Sequence, residues 1–491
     1  MVTSARTGET SLPVGQEPWP PRSRLIVFML ALFILLAFGD KAILGLVGPP
    51  MMEDLGLTNA QFGLIGSSFS LLFCFTAIII GLLGNRISPR WLLAGLALVW
   101  SIAQLPVLLP VVGFAGLVGT RILLGGGEGP ALPLASHTAF TWVPVRSRAL
   151  ASALLAVGGG AGIVIGAPLL MLAIQAWGWR APFGILGALG LVWAVAWLAV
   201  GGAGPHHYAA PGTTAGNALR RPHGSRSAGS ASVSGPSPAE PPAGGAPVGV
   251  ASAATPPAPV SPAPAVPPSG GTAAAVLPER LPYRRVFRVG TWWGAVLAGF
   301  TVSWTLGLAL TWLPTYLEEQ AGYSPSTVSL LVGLPSIGSI VSILTAGLIA
   351  DRLLRRGVSR RIAYGLVPAV AMVAGGIALF AMSRLGAGWP LLAAMAVAFS
   401  TGPALTPLAN AAIADISPPA QRSGVLATAH AFVTTGSVAS PFVTGLVVDL
   451  ARNESVGFTA ALDLAGVLLL GGAVVAATVI RPDRHALRLA S

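Results

Sequence analysis

The chain has 491 residues, 54% of them hydrophobic and only 9% charged, with a mean hydropathy of +0.76. A soluble chain carries about 25% charged residues, so this composition excludes a soluble globular protein and predicts one that crosses a membrane many times. The net charge of +12 does not predict nucleic-acid binding, because the basic residues gather in alternate loops without aromatic interleaving, and the single cysteine, Cys74, excludes an intrachain disulfide or a Cys-rich metal site.

Residues 1–21 are polar and Pro-rich and predict a disordered tail. Twelve apolar segments long enough to span a bilayer follow, at 25–48, 61–84, 91–111, 114–136, 148–172, 180–201, 289–317, 325–350, 361–383, 388–413, 423–449 and 457–480. The first is longer than a signal-peptide core and lacks an Ala-x-Ala cleavage site, so it reads as an uncleaved helix. The predicted fold is an all-α polytopic membrane protein with twelve transmembrane helices in two six-helix halves, 22–204 and 286–482. Between the halves, 205–285 is rich in Pro, Ala, Gly and Ser; it cannot bury enough apolar surface to offset its ordering entropy and predicts a disordered cytoplasmic spacer. Residues 483–491 complete the chain as a cytoplasmic tail.

The loops alternate in charge. Arg22 and Arg24 precede the first segment, Glu53 and Asp54 follow it, then come Arg86 and Arg90, an uncharged loop, and Arg146 and Arg148. In the second half Glu318 and Glu319 oppose Arg352, Arg355, Arg356, Arg360 and Arg361. The positive-inside rule therefore places both termini in the cytoplasm, in a plasma or inner membrane, with Arg180, Arg384 and Arg452 as outer exceptions.

Four ionisable residues lie within predicted spans: Asp40 and Lys41 in the first, Arg121 and Glu128 in the fourth. Each costs roughly 2.5–3.5 kcal/mol near a bilayer centre on insertion scales and persists where it faces a cavity or a partner. Seven residues are two helical turns, so Arg121 and Glu128 project from nearly one face. Counting the rise from each helix start puts Asp40, Lys41 and Arg121 at one level, roughly 8–10 Å below the outer edge of a ~30 Å core, with Glu128 two turns nearer the cytoplasm. Their charges sum to zero. Lys41 is the only lysine in the chain.

An internal repeat supports the division into halves. Gly81-Leu-Leu-Gly-Asn85-Arg86-Ile-Ser-Pro-Arg90 follows the second span, and Gly347-Leu-Ile-Ala-Asp351-Arg352-Leu-Leu-Arg355-Arg356 follows the eighth. These stretches resemble the loop signature of the major facilitator superfamily, although Asn85 replaces the Asp and Ser88 the second Gly in the first copy. The resemblance implies that these residues form gating latches between the halves. Phe38-Gly-Asp40-Lys41, Arg121-x-x-Leu-Gly-x-x-Glu128-Gly, Trp142-Val-Pro144-x-x-x-Arg148, Trp179-Arg180 and Trp312-Leu-Pro314-Thr-Tyr316-Leu resemble the anion:cation symporter family, whose proton-coupled members carry sugar acids and other organic anions. The resemblance places the first and fourth helices against a central cavity.

On this reading Arg121, assisted by Lys41, binds a substrate carboxylate, because a planar guanidinium makes bidentate bonds and stays charged. An added anion leaves excess negative charge in the site and favours co-entry of a proton on Asp40 or Glu128. His430, near Thr434 and Thr435, together with Trp304, Asn410 and Thr301, are further cavity candidates; His137 and Asp463 read as interfacial. No Walker A, HExxH or Cys cluster occurs, so neither an enzyme nor ATP-driven transport is expected, and no cofactor or metal. Gly125-Gly126-Gly127 lies mid-membrane and reads as a close-packing stretch.

The leading expectation is a monomeric proton-coupled importer of a small organic anion. A drug or metabolite efflux antiporter of the same superfamily is the alternative: its fifth-helix glycine signature is approached by Gly158, Gly162, Gly166 and Pro168, but Ala167 intervenes and basic charge in the cavity suits cationic drugs badly. A third expectation is a non-transporting sensor or scaffold that uses the linker.

Overall fold

Glycine and proline decide where the apolar segments become continuous helices and where they break. In the computed structural model, which describes residues 22–83, 87–144, 147–202, 204–205, 278, 280–418 and 421–490, the first half contains α1 (Ser23–Leu55), α2 (Asn59–Leu83), α3 (Pro89–Gln104), α4 (Phe114–Glu128), α5 (Ala131–Trp142), α6 (Arg148–Trp177) and α7 (Ala181–Val200). The second contains α8 (Tyr283–Phe287), α9 (Gly290–Thr315), α10 (Pro325–Leu331), α11 (Leu334–Arg355), α12 (Val367–Met382), α13 (Trp389–Ser400), α14 (Leu405–Asp415), α15 (Arg422–Leu450), α16 (Glu454–Val479) and α17 (Pro482–Ala490). The predicted tail 1–21, Asn85, Arg86, Arg146 and nearly all of the predicted linker lie outside the described residues, as do the side chains of Cys74 and Gly81.

Among the described residues there is no strand, and ten helical segments are long and apolar enough to cross a membrane. The other two expected spans, 61–84 and 114–136, correspond to α2 and to α4 with α5. Pro130 interrupts the fourth span because its nitrogen has no hydrogen to donate and its ring crowds the preceding turn. Gly402-Pro403 does the same between α13 and α14, where a short 3-10 turn intervenes. At α1 the helix runs through Pro49 and Pro50 and stops at Gly56, whose φ of 59° forms a left-handed cap with its N–H on the Met52 carbonyl.

One pairing rule builds both halves. The first span packs on the fifth (α1 on α6), the second on the fourth (α2 on α4) and the third on the sixth (α3 on α7); in the second half α9 packs on α15, α11 on α13 and α12 on α16. Glycines set the closest approaches. A Cβ on Gly158 would lie 2.6 Å from the Ala31 carbonyl oxygen, and one on Gly162 would collide with that of Leu35, so the glycine ladder of α6 seats α1. Gly125 and Gly129 press α4 onto the Phe69 and Phe73 carbonyls of α2, while Gly127 packs on α3 at Trp100.

The halves meet around the ends of α1, α2, α9 and α15. Ser67 Oγ accepts the Phe442 N–H at 3.1 Å, Gln175 donates to Ser326 Oγ at 3.0 Å, and Gly63 lies against the Pro441 carbonyl. Trp312 Nε1 donates to that same carbonyl at 2.9 Å from within the second half. At this end two of the basic exceptions are paired: Arg180 with Asp54 at 2.7 Å, and Arg384 with both oxygens of Asp463 at 2.8 and 3.0 Å.

Residues 483–491 do not trail away. They lie largely in α17, which buries His485, Ala486 and Leu489. His485 Nδ1 accepts the Thr291 N–H at 3.1 Å, and Asp483 accepts the Arg360 N–H at 3.2 Å.

Candidate functional site

The stacked rings of Phe33 and Trp193 (4.5 Å between centroids) and of Trp193 and Trp197 (5.3 Å) tie α1 to α7, and Phe33 also meets Trp100 of α3 edge-on. Two turns further along α1, Asp40 is fully buried. The α4–α2 glycine contacts bring Arg121 and Glu128, both buried, to the same place.

The four charged residues pair across helices. Arg121 Nη1 lies 3.8 Å from Asp40 Oδ2, and Lys41 Nζ lies 3.9 Å from Glu128 Oε2. Both distances exceed the roughly 2.7–2.9 Å of a direct charge-assisted hydrogen bond. Arg121 Nη2 consequently has no hydrogen-bond partner, and with both carboxyls ionised Asp40 Oδ2 and the two Glu128 oxygens have none either. The Asp40 and Glu128 carboxyls also face one another. Aromatic faces complete the cations' surroundings, with the Arg121 guanidinium 5.0 Å from the Phe183 ring centroid and Lys41 Nζ 4.3 Å from that of Phe38.

Gln104, at the end of α3, orients Asp40 from behind. With its nitrogen turned to the carboxyl it donates to Asp40 Oδ1 at 3.2 Å and to the Phe183 carbonyl at 3.3 Å, and its oxygen accepts from Trp100 Nε1. Sequence reasoning passed over Gln104; the signal was a lone side-chain amide inside an apolar span, where a polar group needs a reason.

Asp40, Lys41 and Arg121 form one wall of a cavity of about 300 Å³ between the two halves. Across it, α15 contributes His430, Val433, Thr434, Ser437 and Pro441, and α9 contributes Ser303, Leu306, Gly307 and Leu310. These positions recur at three- and four-residue steps, as one helix face requires. That register explains the candidates that fall elsewhere. Trp304 is not in the lining: it is buried one position off the stripe, with its backbone against Gly436 of α15, and its indole N–H is unpaired. Thr301 packs on Gly472 of α16. Asn410 is exposed on α14 and is not in the lining, whereas Thr406, one turn earlier, is. Thr435 sits off the α15 stripe and donates to the Phe432 carbonyl at 2.6 Å. His137 is exposed on α5. Glu128 lies behind the wall, held to it by Lys41.

Of the repeated loop, Gly81 falls within α2, and Arg90 closes onto the Leu198 carbonyl of its own half. In the second copy Asp351 pairs with Arg355 at 2.8 Å on the exposed face of α11. Arg352 and Arg356 are also exposed, and a Cβ on Gly347 would meet open space.

The family model described as Major Facilitator Superfamily matches residues 29–399 and 296–490. A probable sulfoacetate transporter of Cupriavidus necator is 27% identical over 348 residues, covering 70% of this chain and 68% of that one. The hexuronate transporter of Bacillus subtilis is 24% identical over 465 residues, 93% of this chain and 94% of the other. Among solved structures, a bacterial homolog of the human lysosomal transporter Spinster, inward-facing and unoccupied, superposes with a TM-score of 0.67 at 16% identity, covering 96% of this chain and 99% of that one. A D-xylose–proton symporter gives 0.64 at 14% identity, covering 94% and 98%.

Proposed function

We propose that this chain, which belongs to the Major Facilitator Superfamily, is a secondary transporter that imports a small organic anion together with a proton. It is a transporter and not an enzyme, as its family and relatives are. The observation that carries the anion reading is Arg121: a buried guanidinium at the wall of a cavity, 3.8 Å from its counter-ion and with Nη2 unpartnered. A buried donor left unmade is costly, and a carboxylate or sulfonate oxygen entering the cavity supplies the missing acceptor. Lys41, with 19% of its side chain accessible, offers a second cation beside it. The names of the sulfoacetate and hexuronate relatives agree with such cargo.

Proton coupling follows from the same cluster. The four groups carry no net charge, so an entering anion leaves one negative charge in excess. Asp40 and Glu128 face each other, and one proton between two carboxyls makes a hydrogen bond that two carboxylates cannot make. Alternating access then exposes this cluster first to one side and then to the other. With the termini in the cytoplasm of a plasma or inner membrane, the contacts among α1, α2, α9 and α15 close the outer side, and the cavity faces inward. The chain acts as a single copy.

Proteoliposomes under an imposed proton gradient test this reading. Gradient-driven accumulation of an organic anion is the expected result. Extrusion of a cation instead, or no flux of any panel compound, overturns it.

A further inference from the structure

We propose that the transported anion has an apolar body: a monocarboxylate on an aromatic or branched aliphatic skeleton, rather than a polyhydroxylated acid or a short dianion. This rests on reading the cavity as an anion site and addresses what the anion is attached to.

The cavity is one-sided in charge. Its formal charges, Asp40, Lys41 and Arg121, all stand on the first half's wall, and the facing wall from α9 and α15 contributes none. A substrate clamped by Arg121 therefore directs its remainder toward a surface that offers no second cation. That surface is largely hydrocarbon. Leu306 and Leu310 of α9 and Val433 of α15 line it, and Leu44 of α1 with Phe69 and Phe73 of α2 lie on the side of the charges. Leu306, an apolar side chain, is 52% exposed. The two phenylalanines are one turn apart with ring centroids 5.7 Å from each other, and Lys41 Nζ is 5.5 Å from the Phe73 ring. An aromatic body attached to a carboxylate at Arg121 shares the cavity with these two rings, against which it can stack or pack edge-on.

Three of the six hydroxyl groups that line the cavity are engaged with the backbone. Thr434 donates to the His430 carbonyl at 2.8 Å, Ser437 donates to the Thr434 carbonyl at 2.9 Å, and Ser303 accepts the Ser437 N–H at 3.2 Å. Among the described residues no carboxylate but Asp40 lines the cavity, and no side-chain amide does. A sugar acid brings several hydroxyls, each a donor and an acceptor, and each must leave water for this wall. A wall whose further polar groups are one imidazole, His430, and a few hydroxyls leaves several of them unmatched and penalises such a ligand. At about 300 Å³ the cavity lies at the small end of the usual range for ligand pockets, of a size for one compact ring or branched chain.

Binding of phenylacetate, galacturonate and sulfoacetate to the purified full-length protein, measured by calorimetry, tests the proposal. Phenylacetate is expected to bind on the order of 10- to 100-fold more tightly than galacturonate, and more tightly than sulfoacetate. Galacturonate or sulfoacetate binding as tightly as phenylacetate overturns the apolar-body proposal while leaving the anion site standing. Failure of all three to bind overturns both. Leu306→Gln places an amide on the cavity wall at a half-exposed position and is expected to narrow the phenylacetate–galacturonate ratio several-fold. An unchanged ratio in a variant that still binds phenylacetate also overturns it.

Discussion

Asp449 and Asn59, 390 residues apart in sequence, join the two halves through a helix end. Asp449 Oδ1 accepts the Asn59 N–H at 3.1 Å and the Asn59 amide at 3.0 Å, while Oδ2 accepts the Ala60 N–H at 2.8 Å. A carboxylate on the last turn of α15 thus caps the first turn of α2, whose N–H groups have no intrahelical partners. The contact is exposed, so its worth resembles that of an ordinary cap, on the order of 1 kcal/mol. Asp449→Ala is expected to weaken closure at this end and shift the balance between open and closed forms by roughly fivefold. Spin labels at Glu53 and Arg452 report it as growth of a longer-distance population; an unchanged distribution excludes Asp449 as a latch.

Gly125→Ala tests how the site is seated. A Cβ at this position would collide with the Phe69 carbonyl, which is backbone and cannot rotate away. Helix α4 must move off α2 and carry Arg121 and Glu128 from their partners on α1. Overpacking of this kind costs about 1–3 kcal/mol. The variant is expected to melt several degrees lower and to lose anion binding. Wild-type affinity in a folded Gly125→Ala protein would show that the α2–α4 approach does not set the site.

The helix after the last span should be sensitive to acid. Burial, reinforced by Arg488, Arg484 and Arg481, pushes His485 below its ordinary value of 6.5. The imidazole is therefore neutral when docked, with Nδ1 accepting the Thr291 N–H and beside Thr291 Oγ1 at 2.7 Å. The undocked helix binds a proton more readily than the docked one, so docking is complete above about pH 6.5 and weakens as pH falls below it. Tryptic cleavage at Arg484 and Arg488 is expected to accelerate between about pH 7 and pH 5.5, after correction for the protease's own pH dependence. His485→Gln should abolish that change in rate; its persistence would assign it to another group.

Hydropathy made the spans readable, because a bilayer leaves a helix few alternatives. The intramembrane charges were readable for the same reason: Asp40, Lys41, Arg121 and Glu128 are expensive in lipid, and the fold gathers all four. What was not readable depends on helix rotation and on contacts between distant segments. Trp304 and Asn410 lie on the right helices, but which face of α9 or α14 meets the cavity is set by packing on α15 and α16. Gly129-Pro130 and Gly402-Pro403 break helices that hydropathy alone reads as continuous spans, because an apolar run carries no record of a local backbone break. Asp449 carries no local motif and acquires its role only when α2 arrives from the other half. The segment 483–491 is too polar to read as buried, but one face, His485, Ala486 and Leu489, is enough to dock it.

Arg121→Lys keeps the charge and removes the planar fork. A lysine ammonium cannot make two parallel bonds to a carboxylate, and its shorter reach leaves Asp40 without its partner. Anion affinity is expected to fall by at least tenfold, the loss of about one charge-assisted hydrogen bond. Equal affinity for phenylacetate in the variant and the wild type would remove Arg121 from the binding role.

Glu128→Gln separates binding from coupling. Glu128 lies behind the cavity wall, 3.9 Å from Lys41 and with its carboxyl facing that of Asp40. Glutamine is near-isosteric but cannot ionise, so it stands in for a permanently protonated carrier. Its amide can still donate to Asp40 across the cluster, which keeps the site assembled. Substrate should bind at least as well as in the wild type, since Arg121 and Lys41 remain and one competing negative charge is gone. Exchange of labelled for unlabelled anion should persist, because exchange never requires the empty carrier to return. Net uptake driven by a pH gradient should collapse, because the carrier can no longer release a proton inward before resetting. Loss of exchange together with uptake would mean that Glu128 holds the site together rather than coupling it. Gradient-driven accumulation at the wild-type level would pass the coupling role to Asp40, where Asp40→Asn in the same two assays is expected to show exchange without uptake.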